Sequence, residues 1–200
     1  MSGSAPRPQS KLAVPLAPLL PHMQLDPPAL AKVEALATAE AAMTTLEAAG
    51  MLADALRVAA HGLPKREAVW WTCMCARAVP YAAAIPADLV AVEAAEAWVR
   101  RPDEAARRAA HKAAEAAGFK STEAWAAMAV FWSGGSMSPE GQPPVPPGEH
   151  FSGMAVAGGV ALAAVRQTPQ HAQARMQRFL ASAREIALGG AGRIQVEAVA

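Results

Sequence analysis

Two cysteines, five histidines and one Ser-Gly-Gly-Ser turn are the residues of this chain best suited to chemistry. Cys73 and Cys75 are spaced i,i+2 in a helical stretch, so their side chains diverge by about 200° and can neither bond to each other nor share a metal. Cys75 falls on the apolar face and reads as a small buried hydrophobe. Cys73 sits nearer Arg77 and is expected to be partly exposed. His22, His61, His111, His150 and His171 lack the i,i+4 spacing of a helical metal pair, and no acid or cysteine cluster accompanies them. His61 precedes Gly62 at a helix end, where an imidazolium suits the dipole. His150 ends a long loop and has no evident structural partner.

Trp132-Ser133-Gly134-Gly135-Ser136-Met137-Ser138 superficially resembles a nucleophile turn. A nucleophile elbow needs Gly-x-Ser-x-Gly between a strand and a helix, and here the second glycine and the strand are both missing. A phosphate loop needs a lysine and a helix directly after the glycines, and neither follows. The segment reads as a helix stop. No catalytic residue, metal ligand or cofactor motif is therefore assigned. An enzyme would need distant groups, such as His150, Glu67 and Arg77, to converge in space.

The elements that would position these residues are helical. Alanine dominates, and the five tryptophans lie inside small-residue segments. Small residues let helices approach closely, and the large rings fill the remaining gaps. The expected fold is all-α, a single compact domain of about eight helices, arranged as an irregular bundle or as stacked helical hairpins. A chain of this length buries roughly 70% of its unfolded surface and needs no staples. Residues 1–26 read as a flexible Pro-rich arm, which Leu16, Leu19, Leu20 and Leu25 could pin to the body. The helical domain spans 27–189, and 190–200 is a tail.

Asp26 is a candidate N-cap for a first helix over 27–49, with Pro27 and Pro28 in its first turn and Gly50 at its end. A second helix is predicted over 51–60. The third, over 65–77, places Trp70, Trp71, Met74, Cys75, Ala78 and Val79 on one half of the wheel and Lys65, Arg66, Thr72 and Arg77 on the other. So wide an apolar arc predicts a central helix packed by several neighbours. Further helices are expected over 88–101, after Pro102 to Gly118, from Ser121 or Thr122 to Trp132, over 151–167, and from Pro169 to Leu188. Gly153, Gly158 and Gly159 lie within the seventh of these and imply close backbone approach. No fixed repeat period emerges.

The formal net charge is +1, and 18% of residues are charged. The usual charged share is about 25%, and so low a share suggests a surface that meets another protein, although codon bias toward alanine and proline explains it equally. Arg100, Arg101, Arg107, Arg108 and Lys112 are interleaved with Asp103, Glu104 and Glu115. The i,i+4 pairs Asp103–Arg107 and Glu104–Arg108 make this a self-paired, solvated face rather than a nucleic-acid site. No segment reaches the ~20 apolar residues of a membrane helix. Pro15 and Pro18 break the only early apolar run, so a signal peptide is not expected and the protein reads as cytoplasmic.

The connection over 133–150 carries Pro139, Pro143, Pro144, Pro146 and Pro147. Loops beyond about 12–15 residues without structure are often functional. Its Pro143 to Pro147 stretch favours polyproline II, which either docks on an aromatic groove of a partner or packs on Phe131 and Trp132 of this chain. Internal packing is the preferred reading, because those rings are close in sequence.

Glu67 to Cys73, Ala97-Trp98-Val99, and Ala124 to Ser136 with the prolines beyond it resemble a bacterial family of unknown function. Its members are all-helical, about this long, and sometimes encoded near type VI secretion clusters with spike proteins and toxic effectors. The resemblance covers about Ala29 to Leu188. Its Trp-Trp and Phe-Trp-Ser-Gly-Gly-Ser segments carry no known chemistry, so no catalytic role transfers. It implies a non-enzymatic adaptor or accessory factor that assists effector loading, with another protein as its partner. The expected contact region is Phe131, Trp132, Gly134, Gly135, Pro143, Pro144, Pro146 and Pro147. An enzyme with a pocket in the helical core and a self-associating structural subunit are the alternatives.

Overall fold

A computed structural model describes residues 9–81 and 83–198. Among these residues the structure is all-α, with ten α-helices. They are α1 (Leu20–Met23), α2 (Pro27–Val33), α3 (Ala39–Ala48), α4 (Leu52–Gly62), α5 (Lys65–Ala78), α6 (Pro86–Arg100), α7 (Glu104–Ala116), α8 (Thr122–Phe131), α9 (Phe151–Val165) and α10 (Ala172–Ala187). A single 3₁₀ turn, Pro169–His171, leads into α10. None of these helices is long and apolar enough to cross a membrane.

The bundle is irregular and centres on α5, α8 and α9. α5 packs against α6, α8, α9 and α10, and α9 packs also against α4. Trp71 is fully buried at this centre, and its indole N–H donates to the Phe179 carbonyl of α10 at 2.9 Å. A buried indole needs such a partner. Gly159 lets α9 approach closely, since a Cβ there would lie 3.0 Å from the Thr72 methyl and 3.2 Å from the Trp125 Cβ. Close approach is thus the reason for a glycine at that point of α9.

Several sequence expectations change. The helix expected over 27–49 is two helices, broken over 34–38. The N-terminal segment causes the break. Leu16 N–H donates to the Ala37 carbonyl, and the N–H groups of Ala39 and Glu40 donate to the carbonyls of Val14 and Leu12. Thr38 then caps α3 by accepting from Ala41 N–H.

Residues 9–26 accordingly do not form a flexible arm. Leu12, Leu16 and Met23 belong to the core, and the backbone of this segment pairs with that of the break. Residues 1–8 lie outside the described residues.

The tail is also anchored, as far as Glu197. Glu197 N–H donates to the Ala78 carbonyl at the end of α5, and its carboxylate pairs with Arg175 and Arg178. The Trp70 indole donates to the Ala191 carbonyl at 2.8 Å.

On α5 both cysteines are fully buried, so Cys73 does not share the exposure of Arg77. Thr72, assigned to the polar half, is buried too, and its hydroxyl donates to the Ala68 carbonyl. Neighbours on more than one side leave this helix little solvated surface.

Candidate functional site

The connection from α8 to α9 is tied down at its base and open at its tip. Arg107 of α7 is buried and reaches under the turn. It donates to the carbonyls of Phe131 at 2.6 Å and Ser136 at 2.8 Å, and pairs with Glu104. Arg108 donates to the Ser138 carbonyl at 2.8 Å. The basic stretch of α7 is therefore not only a solvated face. Two of its arginines organise the loop, while Asp103 caps α7 through Ala106 N–H rather than pairing with Arg107.

Phe131 is buried, stacked on His111 at 4.0 Å, with the Arg107 guanidinium 4.8 Å from its ring centroid. Trp132 is half-buried and meets Trp125 and Phe151 edge-on. Gly135 has φ +65°, and a Cβ there would stand 2.8 Å from Arg107 Nε. Phe131 and Gly135 are thus accounted for by internal contacts.

Ser136 gathers the rest of the loop. Its hydroxyl accepts from Val145 N–H and Ser138 N–H, and Met137 N–H donates to the Val145 carbonyl. Pro143, Pro144 and Pro146 stay exposed, Pro147 is half-buried, and nothing lies within 4 Å of where a Gly134 Cβ would stand. The prolines do not cover Phe131, whose face is already taken by His111 and Arg107.

A second arrangement was not foreseen. His22 of α1, His61 at the end of α4 and His150 just before α9 meet at one place. The His22 and His150 rings stack 4.0 Å apart and 6° from parallel. His61 packs on α9 so tightly that a Cβ on Gly153 would fall 2.6 Å from its Nδ1. Burial, aided by His150 and His22, pushes the His61 imidazole down to about 4. It is therefore neutral at pH 7 rather than the imidazolium that a helix end invites.

His22 and His61 line two cavities. One, of about 380 Å³, also takes in His150, Lys65 and Glu149. The other, of about 280 Å³, continues along α9 past Met154, Gly158 and Ala161, with Arg57 and Met176 opposite. The other distant groups considered for catalysis do not join the histidines. Glu67 pairs with Lys11, and Arg77 pairs with Glu96. Among the described residues no group of three or more His, Cys, Asp or Glu is arranged to hold a metal ion.

Along α9, Met154, Leu162 and Val165 are 39%, 39% and 44% exposed, and Ala161 is exposed beside them. Positions 154, 158, 161, 162 and 165 share one helix face. The helix contains no charged residue over Phe151–Val165. Its apolar surface thus includes a solvent-facing stripe.

No curated protein and no solved structure matches this chain. Residues 42–187 do match a family of unknown function, DUF6931, and the chain belongs to it.

Proposed function

We propose that the protein is a non-enzymatic adaptor that binds another protein through the outer stripe of α9 and the exposed prolines of the loop that precedes it. The observation that carries this reading is the stripe itself. Met154, Ala161, Leu162 and Val165 face solvent on a helix without a charge, and Met154 and Ala161 also wall a cavity that runs toward α4 and α10. Exposed contiguous apolar surface of this kind marks interaction sites in folded proteins. Pro143, Pro144 and Pro146 offer a second contact whose backbone loses little freedom on docking. Of the residues first expected to touch a partner, Phe131 and Gly135 instead hold the loop in shape, and Trp132 is half covered.

Following the family resemblance, we take the partner to be an effector or spike component of a type VI secretion system, with this protein acting in effector loading. Affinity capture with the full chain from the native host tests the assignment. The expected result is recovery of such a component, lost with Met154→Glu and Leu162→Glu and reduced when Pro143, Pro144, Pro146 and Pro147 are replaced by serine. Undiminished recovery with all of these variants refutes it. Self-association through the same stripe is the competing reading, and a dimeric mass in solution that Leu162→Glu converts to a monomer establishes that instead.

A further inference from the structure

We propose that the 380 Å³ cavity between α1, the end of α4 and the start of α9 is a binding site for a phosphate group, held by His22, His61, His150 and Lys65. The volume lies within the roughly 300–1,000 Å³ of small-molecule sites. The lining has the composition of such a site, with an apolar wall that includes Leu19 and Leu63 and a few convergent polar groups.

The three imidazoles come from three separate segments, and among the described residues none forms a side-chain hydrogen bond with the protein. Each is half-buried, so none of the three rings is sealed off from a ligand. Lys65 adds an ammonium, which donates to Glu149 at 2.8 Å and to the Ser133 carbonyl at 3.0 Å. Glu149 is the one acid on the cavity wall, and its side chain is 94% exposed. An ion pair so open to water is weak and easily exchanged for another anion. Imidazole and ammonium groups with a single displaceable acid among them favour an anionic ligand.

A metal cation does not suit the same residues. Stacked rings with centroids 4.0 Å apart hold their in-plane lone pairs in near-parallel planes, which do not converge on one ion at the ~2.0 Å distance of a metal–imidazole bond. A phosphate differs because it has several oxygens and accepts from rings at different heights.

Proton uptake is a built-in readout. His61 faces His22 from α1, His150 from the loop and Lys65 from α5. One turn back on α4 lies Arg57, which is itself paired with Asp54. From α10 only the uncharged Met176 lines the adjoining cavity. A phosphate monoanion, the prevailing form at pH 6, placed among these groups offsets the burial that keeps His61 neutral and draws a proton onto it.

The test is calorimetric titration of the full chain with inorganic phosphate at pH 6, in two buffers of different ionisation enthalpy, alongside the imidazole proton resonances. Acetate serves as the comparison anion. The expected result is saturable binding tighter than about 1 mM, with proton uptake and shifts confined to the His22, His61 and His150 resonances. Each of His22→Gln and Lys65→Gln should weaken it about tenfold, the loss of one charge-assisted hydrogen bond. Binding no tighter for phosphate than for acetate, or shifts in His111 and His171 equal to those of the three cavity rings, overturns the assignment. The resonance pattern of the unmodified protein decides the matter even if a variant fails to fold.

Discussion

Arg166, just past α9, and Glu123, in the first turn of α8, form a two-point ion pair with both side chains only 8% exposed. The contact does more than join two helices. Arg166 also donates to the Val79 carbonyl at 2.8 Å and lies 4.4 Å over the Tyr81 ring. Its own carbonyl accepts from Arg175, which in turn pairs with Glu197 near the C-terminus. A line of charge-assisted contacts thus runs from α8 through the end of α5 to the last described residues.

Glu123→Gln should destabilise the fold by about 3–5 kcal/mol, because a buried guanidinium loses its counter-charge. The double change Glu123→Leu with Arg166→Met should recover much of that loss, since a buried pair replaced by apolar side chains of similar volume is often near neutral. Urea unfolding of the unmodified protein and the two variants checks this. Equal losses for single and double variants would show that the pair does not act as a unit.

Cys73 and Cys75 should resist thiol reagents in the native protein. Burial pushes both thiols above their ordinary range, and the thiolate is the reacting species. Ellman's reagent at pH 8 should therefore detect neither thiol until denaturant is added, and then both. A fast native-state reaction at either residue contradicts the packing of α5.

What the sequence revealed and concealed on α5 follows from the range of the forces involved. Trp71 and Cys75 were legible as core because the 100° helical wheel places them together. Cys73 and Thr72 were not, because their burial depends on which other helices cover the remaining side of the wheel. The break between α2 and α3 was invisible for the same reason. Its hydrogen-bond partners are Leu12, Val14 and Leu16, and of these only Leu16 was expected to pin the arm to the body. The histidine cluster left one faint trace: His150 lacked a structural explanation at the end of its loop. Its partners His22 and His61 lie far away in sequence, and no spacing rule connects them. The proline loop was recognisable, but its exposure depended on His111 and Arg107 reaching Phe131 first.

Acid should destabilise this protein, with His61 as a main contributor. In the unfolded chain its pKa is the ordinary 6.5, and in the fold it is about 4. The unfolded state therefore binds the extra proton as pH falls through this window. Stability is complete above pH 6.5 and declines by about 3 kcal/mol toward pH 4. His111 is shifted in the same direction, chiefly by burial. Glu104, held at about 2 chiefly by its hydrogen bond to Arg107, adds a smaller, solvent-screened loss below its ordinary 4.5. Urea unfolding from pH 7 to 4 without phosphate should show a slope that His61→Gln reduces. Parallel curves for the two proteins would rule out His61 as the source.

Gly135→Ala should loosen the connection between α8 and α9 while leaving the rest of the bundle in place. The residue adopts φ +65°, a conformation that glycine reaches freely and an L side chain reaches at a cost of about 1 kcal/mol. Its new methyl would also meet the Arg107 guanidinium at under 3 Å. That side chain cannot move without breaking its bonds to Phe131 and Ser136. The combined loss should reach about 2–3 kcal/mol, in the range of strain plus a disrupted buried hydrogen-bond network. Amide hydrogen exchange then distinguishes local from global damage. Faster exchange should be confined to the N–H groups of Met137, Ser138 and Val145, which the Ser136 anchor protects. Arg107→Lys should expose the same amides, since an ammonium cannot reproduce a planar guanidinium that reaches two carbonyls and a carboxylate at once. If the two variants instead raised exchange uniformly across α8 and α9, the loop would be part of the cooperative core rather than a separately anchored segment.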